Sequence, residues 1–230
     1  MVEVEAPKGP DPQQTAASLT VLPAGPDLPP GTDLGNLLEE AAGIQVHRLG
    51  GLGDFASASI RGSSSRQVEF FLDGLPLNPD GSASVDLSAF PPSAFARVEV
   101  YRGGAPLSFG SAAMGGVIHL VTPEDPELAT VVWSGGSFGT TQLAGVYATE
   151  KNGFNIFVTG NQFFTRGNWT YFEDSGTEYN LLDDRLEERS HNAIERSNGL
   201  IRVQTDLPWG RVIFLDDLGY LHQELPGSTA

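Results

Sequence analysis

Beyond residue 128 the chain runs in extended segments of unusual length. Residues 129–149, 153–165, 196–206 and 210–223 read as strands, several of them far longer than the usual five or six residues. Tight turns join them at Lys151-Asn-Gly153 and Leu207-Pro-Trp-Gly210, and one connection, about 167–194, is long. Long strands joined by short turns pair antiparallel. Short turns at one end and a long loop at the other are the pattern of an up-and-down membrane barrel. A soluble β-sheet explains residues 129–223 about as well on pattern alone. The alternation breaks at Asp216 and Asp217, where one carboxylate faces the wrong side in either register. No stretch of 18 apolar residues is present, which excludes a membrane-spanning helix but not spanning strands.

The preceding residues are built differently. Residues 1–32 hold Pro7, Pro10, Pro12, Pro23, Pro26, Pro29 and Pro30 and read as an extended arm. Ser18-Leu-Thr-Val-Leu22 within it is a candidate strand, and Val2-Glu-Val-Glu-Ala6 alternates near its start. Residues 33–43 read as a short helix with Leu34, Leu37, Leu38 and Ala41 on one stripe, capped by Thr32 or Asp33 and stopped by Gly43. Short strands at 44–48, 58–61, 67–72, 97–102 and 117–122 then alternate with glycine-rich turns, and Pro91 opens a helical turn. This predicts an arm over 1–15, a small α+β domain over 16–123, and about five antiparallel strands over 124–230.

Composition removes several function classes. Thirteen Lys+Arg stand against 29 Asp+Glu, a formal net charge of −16, so there is no basic field for nucleic acid. The absence of cysteine excludes disulfides, thiolate nucleophiles and sulfur-bound zinc. With only His47, His119, His191 and His222 and no nucleophile-elbow motif, nothing assembles a triad or a catalytic metal centre. His47 reads as a strand residue. Gly62, Gly74, Gly103, Gly110, Gly115 and Gly116 match no phosphate-loop or dinucleotide fingerprint and read as turns and close packing.

An ordered series of motifs runs from residue 34 to 122. It comprises Leu37-Leu-Glu-Glu-Ala-Ala-Gly-Ile-Gln-Val46, Ser59-Ile-Arg-Gly62, and Phe71-Leu-Asp-Gly74 with Pro76 and Asn78. Val85-Asp-Leu-Ser88, Arg97-Val-Glu-Val-Tyr-Arg-Gly103, Phe109-Gly110 and Met114-Gly-Gly-Val-Ile-His-Leu-Val-Thr122 follow. In this order they resemble the plug domain of TonB-dependent outer-membrane receptors, nearest in look to the vitamin B12 and siderophore receptors. The resemblance implies an α+β plug followed by the first antiparallel strands of an incomplete transmembrane β-barrel. Five strands are fewer than the roughly eight that a membrane barrel needs, and no signal peptide is visible, so the sequence reads as a truncation.

The resemblance also implies roles. Val2, Glu3, Val4, Glu5 and Ala6 look like the TonB box, an extended segment that adds a strand to the TonB protein. Arg61 and Arg102 match plug arginines that face glutamates of the barrel wall, with Glu99 expected to join their charge cluster. Two loops would be outward apices that touch ligand, one with Arg48, Leu49, Asp54 and Phe55, the other with Asn78, Asp80 and Ser82. The implied activity is ligand-gated, energy-coupled uptake of a siderophore-like metal chelate or cobalamin at the bacterial outer membrane. Its partners would be TonB with ExbB and ExbD, membrane lipid and the nutrient; no resident cofactor or enzymatic activity is expected. A soluble plug-like binding or signalling module is the alternative. Loop 167–194 is acidic, and Glu173, Asp174, Asp183 and Asp184 could offer oxygens to Ca2+. Their spacing fits no EF-hand, and a solvated outer loop is the simpler reading.

Overall fold

A computed structural model describes residues 18–25, 28, 32–50, 54–78, 84–103, 106, 109, 115–123, 127–173, 182 and 184–224. The chain divides into two compact units, Met1–Glu124 and Asp125–Ala230.

In the first unit, β1 (Ser18–Pro23), β4 (Val68–Leu72), β5 (Leu75–Pro76), β6 (Arg97–Arg102) and β7 (Gly116–Val121) form a five-stranded sheet in the order β1-β6-β7-β4-β5. β4 runs parallel to β7 and the other pairs are antiparallel. A separate hairpin joins β2 (Ile44–Arg48) to β3 (Ala56–Ile60). Alternation gives the sheet two faces. On one, Val68, Phe70, Leu72, Val98, Val100, Ile118 and Leu120 are all at most 1% exposed. Leu34, Leu37 and Leu38 of α1 (Leu34–Glu39) are equally buried, and α1 packs on β2 and β3. Each such side chain contributes about 2 kcal/mol of apolar burial.

The helix is shorter than the expected 33–43. Asp33 caps it, accepting from the Asn36 amide at 2.7 Å. After Glu40 the turns tighten: Ala41 N–H donates to the Leu38 carbonyl at 3.0 Å, and Gly43 at φ +83° redirects the chain into β2. Close packing accounts for the Gly115-Gly116 pair. A Cβ on Gly116, which has φ +134°, would lie 2.5 Å from the Tyr101 carbonyl oxygen.

The second unit is a five-stranded antiparallel meander in the order β14-β13-β10-β9-β8. Its strands are β8 (Glu127–Gly135), β9 (Thr141–Lys151), β10 (Phe154–Thr165), β13 (Ile194–Leu207) and β14 (Gly210–Gln223). Residues 129–149, expected as one segment, are two strands, because Phe138 and Gly139 take φ of 58° and 66° and close a turn. The long connection carries its own hairpin, β11 (Thr170–Glu173) with β12 (Arg185–Glu188). One face of the meander buries Ala144, Val146, Ala148, Phe157, Leu200, Arg196 and Arg202, the last with its guanidinium 5.6 Å from the Phe157 ring centroid. The other face exposes Val131, Trp133, Leu143, Tyr147, Val158, Phe214 and Leu218. Ile201 pairs with Asp216 and Leu200 with Asp217, so Asp216 is the carboxylate set among apolar neighbours on the exposed face.

Candidate functional site

The two motif arginines converge on one turn. Arg61 and Gly62, at φ 52° and 78°, form the centre of the turn after β3, closed by Ser63 N–H on the Ile60 carbonyl at 3.0 Å. Arg61 N–H donates to the Gly43 carbonyl at 2.7 Å, and the Arg61 stem lies against Gly43. Arg102, at the end of β6, donates to the neighbouring Ala42 carbonyl. It also donates to Ser18 Oγ at 3.0 Å and to Thr20 Oγ1, both on β1. The buried Nε of Arg102 has no hydrogen-bond partner among the described residues.

Glu99 does not join them, which corrects the expected three-residue cluster. Residues 99 and 102 are an odd number apart on one strand, so their side chains leave opposite faces. Glu99 instead anchors a network of its own. Oε1 accepts from Arg97 Nε at 2.7 Å, and Oε2 accepts from Tyr101 OH at 2.9 Å and His119 Nδ1 at 3.1 Å. Burial alone would raise the carboxyl's pKa, but hydrogen bonds from His119, Arg97 and Tyr101 bring it down to about 2. Burial, and then the bond to Glu99, raise the Tyr101 phenol above its ordinary value. Phe109 covers the group, its ring centroid 4.7 Å from Phe71, 5.4 Å from Tyr101 and 5.0 Å from His119. Arg97 and Tyr101 were legible as same-face neighbours of Glu99. His119 arrives through the β6–β7 register, where it pairs with Glu99.

The Asp73-Gly74 motif is tied to the same network. Asp73 and Gly74 take φ of 47° and 84°, the type I′ geometry of a two-residue hairpin. The Asp73 carboxylate accepts from Thr122 N–H at 2.9 Å and Thr122 Oγ1 at 2.7 Å, while Gly74 N–H donates to His119 Nε2 at 3.1 Å. Two motifs far apart in sequence thus close on each other.

The expected apex residues separate into two kinds. Leu49 is 82% exposed and Phe55 is also exposed. They sit together at the tip of the β2–β3 hairpin, with Leu49 N–H on the Phe55 carbonyl at 3.1 Å. Asp54 is half-buried and its carboxylate lies over Gly50. Arg48 and Asn78 are committed inward, which corrects their expected outward role. Arg48 makes a bidentate pair with Asp33 at 2.6 and 2.8 Å and also donates to Asn36. Asn78 is buried, accepting from Phe70 N–H at 2.9 Å and donating to the Val68 carbonyl at 3.0 Å. It extends the edge of β4 where β5 has ended. Asp80 and Ser82, and Val2, Glu3, Val4, Glu5 and Ala6, lie outside the described residues.

Of the acidic-loop candidates, Glu173 lies on β11 opposite Arg185 and Asp184 precedes β12; Asp174 and Asp183 lie outside the described residues. Among the described residues no group of three or more His, Asp or Glu side chains is placed to hold a metal ion. Trp169 and Tyr171 meet edge to face at 5.5 Å, with Arg189 5.9 Å from the Tyr171 ring centroid.

Comparison with known proteins agrees with this architecture. The family model of the TonB-dependent receptor plug domain matches residues 11–117. Among solved structures, the copper transporter OprC is 17% identical with a TM-score of 0.61, over 91% of this chain and 32% of its own. The pyoverdine outer membrane receptor FpvA from Pseudomonas aeruginosa is 16% identical with a TM-score of 0.59, over 91% of this chain and 28% of its own. The siderophore receptor PirA from Acinetobacter baumannii is 16% identical with a TM-score of 0.53, over 91% of this chain and 41% of its own. The chain therefore spans between about a quarter and two fifths of the length of these structures. Residues 11–117 thus match the TonB-dependent receptor plug domain, and together with the antiparallel strands that follow they share the fold of those receptors.

Proposed function

We propose that this chain serves energy-coupled uptake of a scarce nutrient across a bacterial outer membrane, its plug occluding a barrel and its arm reaching the periplasm. One observation carries the reading. A plug unit continues into a long-stranded meander whose exposed face presents Val131, Trp133, Tyr147, Phe214 and Leu218. An apolar face of that extent needs a cover, and for strands of this length lipid is the natural one. A metal or metal chelate is the favoured ligand class, since the similar structures are named for copper, enterobactin and pyoverdine; cobalamin is the second candidate. The exposed tip pair Leu49 and Phe55 would meet the ligand, as would Asp80 and Ser82 of the second loop. The buried Nε of Arg102, without a hydrogen-bond partner among the described residues, supports a carboxylate from the barrel wall beside Arg102 and Arg61. Val2–Ala6 would be offered to TonB, which ExbB and ExbD energise.

The test has three parts. The chain is fractionated after expression, and recovery in the soluble fraction would instead support a plug-like binding module. The periplasmic part of TonB is then used to capture the wild-type chain and the Val4→Pro variant. Proline removes a ladder donor, so capture of the variant is expected to fall at least tenfold; equal capture would remove the box. Radioiron-loaded siderophores and labelled cobalamin, offered to cells with and without the gene, separate the ligand classes.

A further inference from the structure

Both ring nitrogens of His119 are engaged by groups whose hydrogen-bonding sense is fixed. Nδ1 lies 3.1 Å from Glu99 Oε2. An ionised carboxylate only accepts, so Nδ1 carries the proton. Nε2 lies 3.1 Å from the Gly74 amide nitrogen, which only donates, so Nε2 is bare. His119 is thereby held as one neutral tautomer, bridging β6 to the Asp73-Gly74 turn. Its side chain retains 14% exposure, so protons from solvent reach it.

We propose that His119 is a proton-operated link: neutral, it ties the Asp73-Gly74 turn of the β4–β5 hairpin to β7, and protonated, it releases the Gly74 amide. A proton added at Nε2 sets one N–H against another, and the Gly74 bond is lost. The same proton strengthens the Nδ1 pair with Glu99, so the charged ring stays in place. The groups facing it are Glu99, Arg97 and Tyr101 from β6, and Glu69 and Asp73 from β4 and its turn; β1 presents uncharged Val21 opposite Glu99. Asp73 keeps both bonds to Thr122, so the release is confined to Gly74 and the edge strand Leu75–Pro76. Histidine is the side chain whose charge ordinarily changes between about pH 5 and 8.

The test is nitrogen-resolved NMR on the full chain in detergent. At about pH 8 the imidazole shifts are expected to report the Nδ1–H tautomer and the Gly74 amide to exchange slowly. On acidification to about pH 5 the Gly74 signal should follow the imidazole titration. Its exchange, corrected for the intrinsic rate, should speed up roughly three- to tenfold, the worth of one hydrogen bond. The Thr122 amide should not follow. His119→Gln keeps an acceptor and a donor without titrating, so its Gly74 amide should stay protected throughout. An Nε2–H tautomer at about pH 8, a Gly74 amide indifferent to pH, or the same pH response in His119→Gln overturns the link. The tautomer and the Gly74 titration are read on the wild-type chain, so the decision does not depend on the variant folding.

Discussion

Replacing Glu99 by glutamine removes the charge on which three side chains converge. In the folded plug the carboxyl titrates at about 2 against 4.5 for a free glutamate. Such a difference corresponds to about 3 kcal/mol of stability at neutral pH. Solvent reaches part of the group and screens it, so about 2 kcal/mol is the working figure. Glutamine retains one acceptor oxygen for three donors, and Arg97 and His119 lose their charge-assisted partner. Amide hydrogen exchange resolves the effect locally, which matters because Trp133, Trp169 and Trp209 all report on the other unit. At neutral pH the β6 and β7 amides of Glu99→Gln are expected to exchange about thirtyfold faster than wild type, the equivalent of that 2 kcal/mol. The sign of the pH dependence follows from the lowered pKa. The stabilisation is complete above about pH 4.5 and is lost as pH falls toward about 2. The gap between wild type and variant should therefore close over that window. A variant within about 0.5 kcal/mol of wild type at neutral pH, or a gap that persists in acid, would refute the reasoning.

Two further perturbations address other parts of the plug. Asn78→Ala leaves the buried Phe70 N–H and Val68 carbonyl without the side-chain bracket seen here; a loss of about 2 kcal/mol, read as faster exchange at Phe70, is expected, with Asn78→Asp recovering only the acceptor half. Gly116→Ala places a methyl 2.5 Å from the Tyr101 carbonyl at φ +134°, so the β6–β7 ladder should lose about 3 kcal/mol in the same measurement, and a neutral substitution would show that the strand end yields freely.

Much of the plug was open to reading from local pattern. The I′ turn at Asp73-Gly74 and the Asp33 cap of α1 depend on neighbours in sequence, as do the strands at 67–72, 97–102 and 117–122. The placement of Arg97, Glu99 and Tyr101 on one face was equally available, because alternation along a strand has period two. The same rule separates Glu99 from Arg102, which a grouping by charge overlooked. Arg48 and Asn78 were misplaced because glycine- and proline-rich flanks mark a loop without saying which of its side chains turn inward. Arg48 turns back to Asp33, 15 positions away; Asn78 takes up, with its side-chain amide, the Phe70 N–H and Val68 carbonyl beyond the last backbone bond of the hairpin, from Leu77 N–H to the Phe70 carbonyl. In the second unit, the glycines at 135–139 hid a hairpin within what read as one long segment.

The order of short strands, glycine turns and long alternating segments was determined by the sequence alone, because backbone preferences and face periodicity act over a few residues. Only the tertiary structure decided that His119 meets Glu99 and Gly74, that Thr122 receives Asp73, and that Arg61 and Arg102 meet at the Ala42–Gly43 turn. Those pairings depend on strand register across separations of 20 to 60 residues. Register is set by which faces can be buried together, a property of the packed sheet and of no single segment.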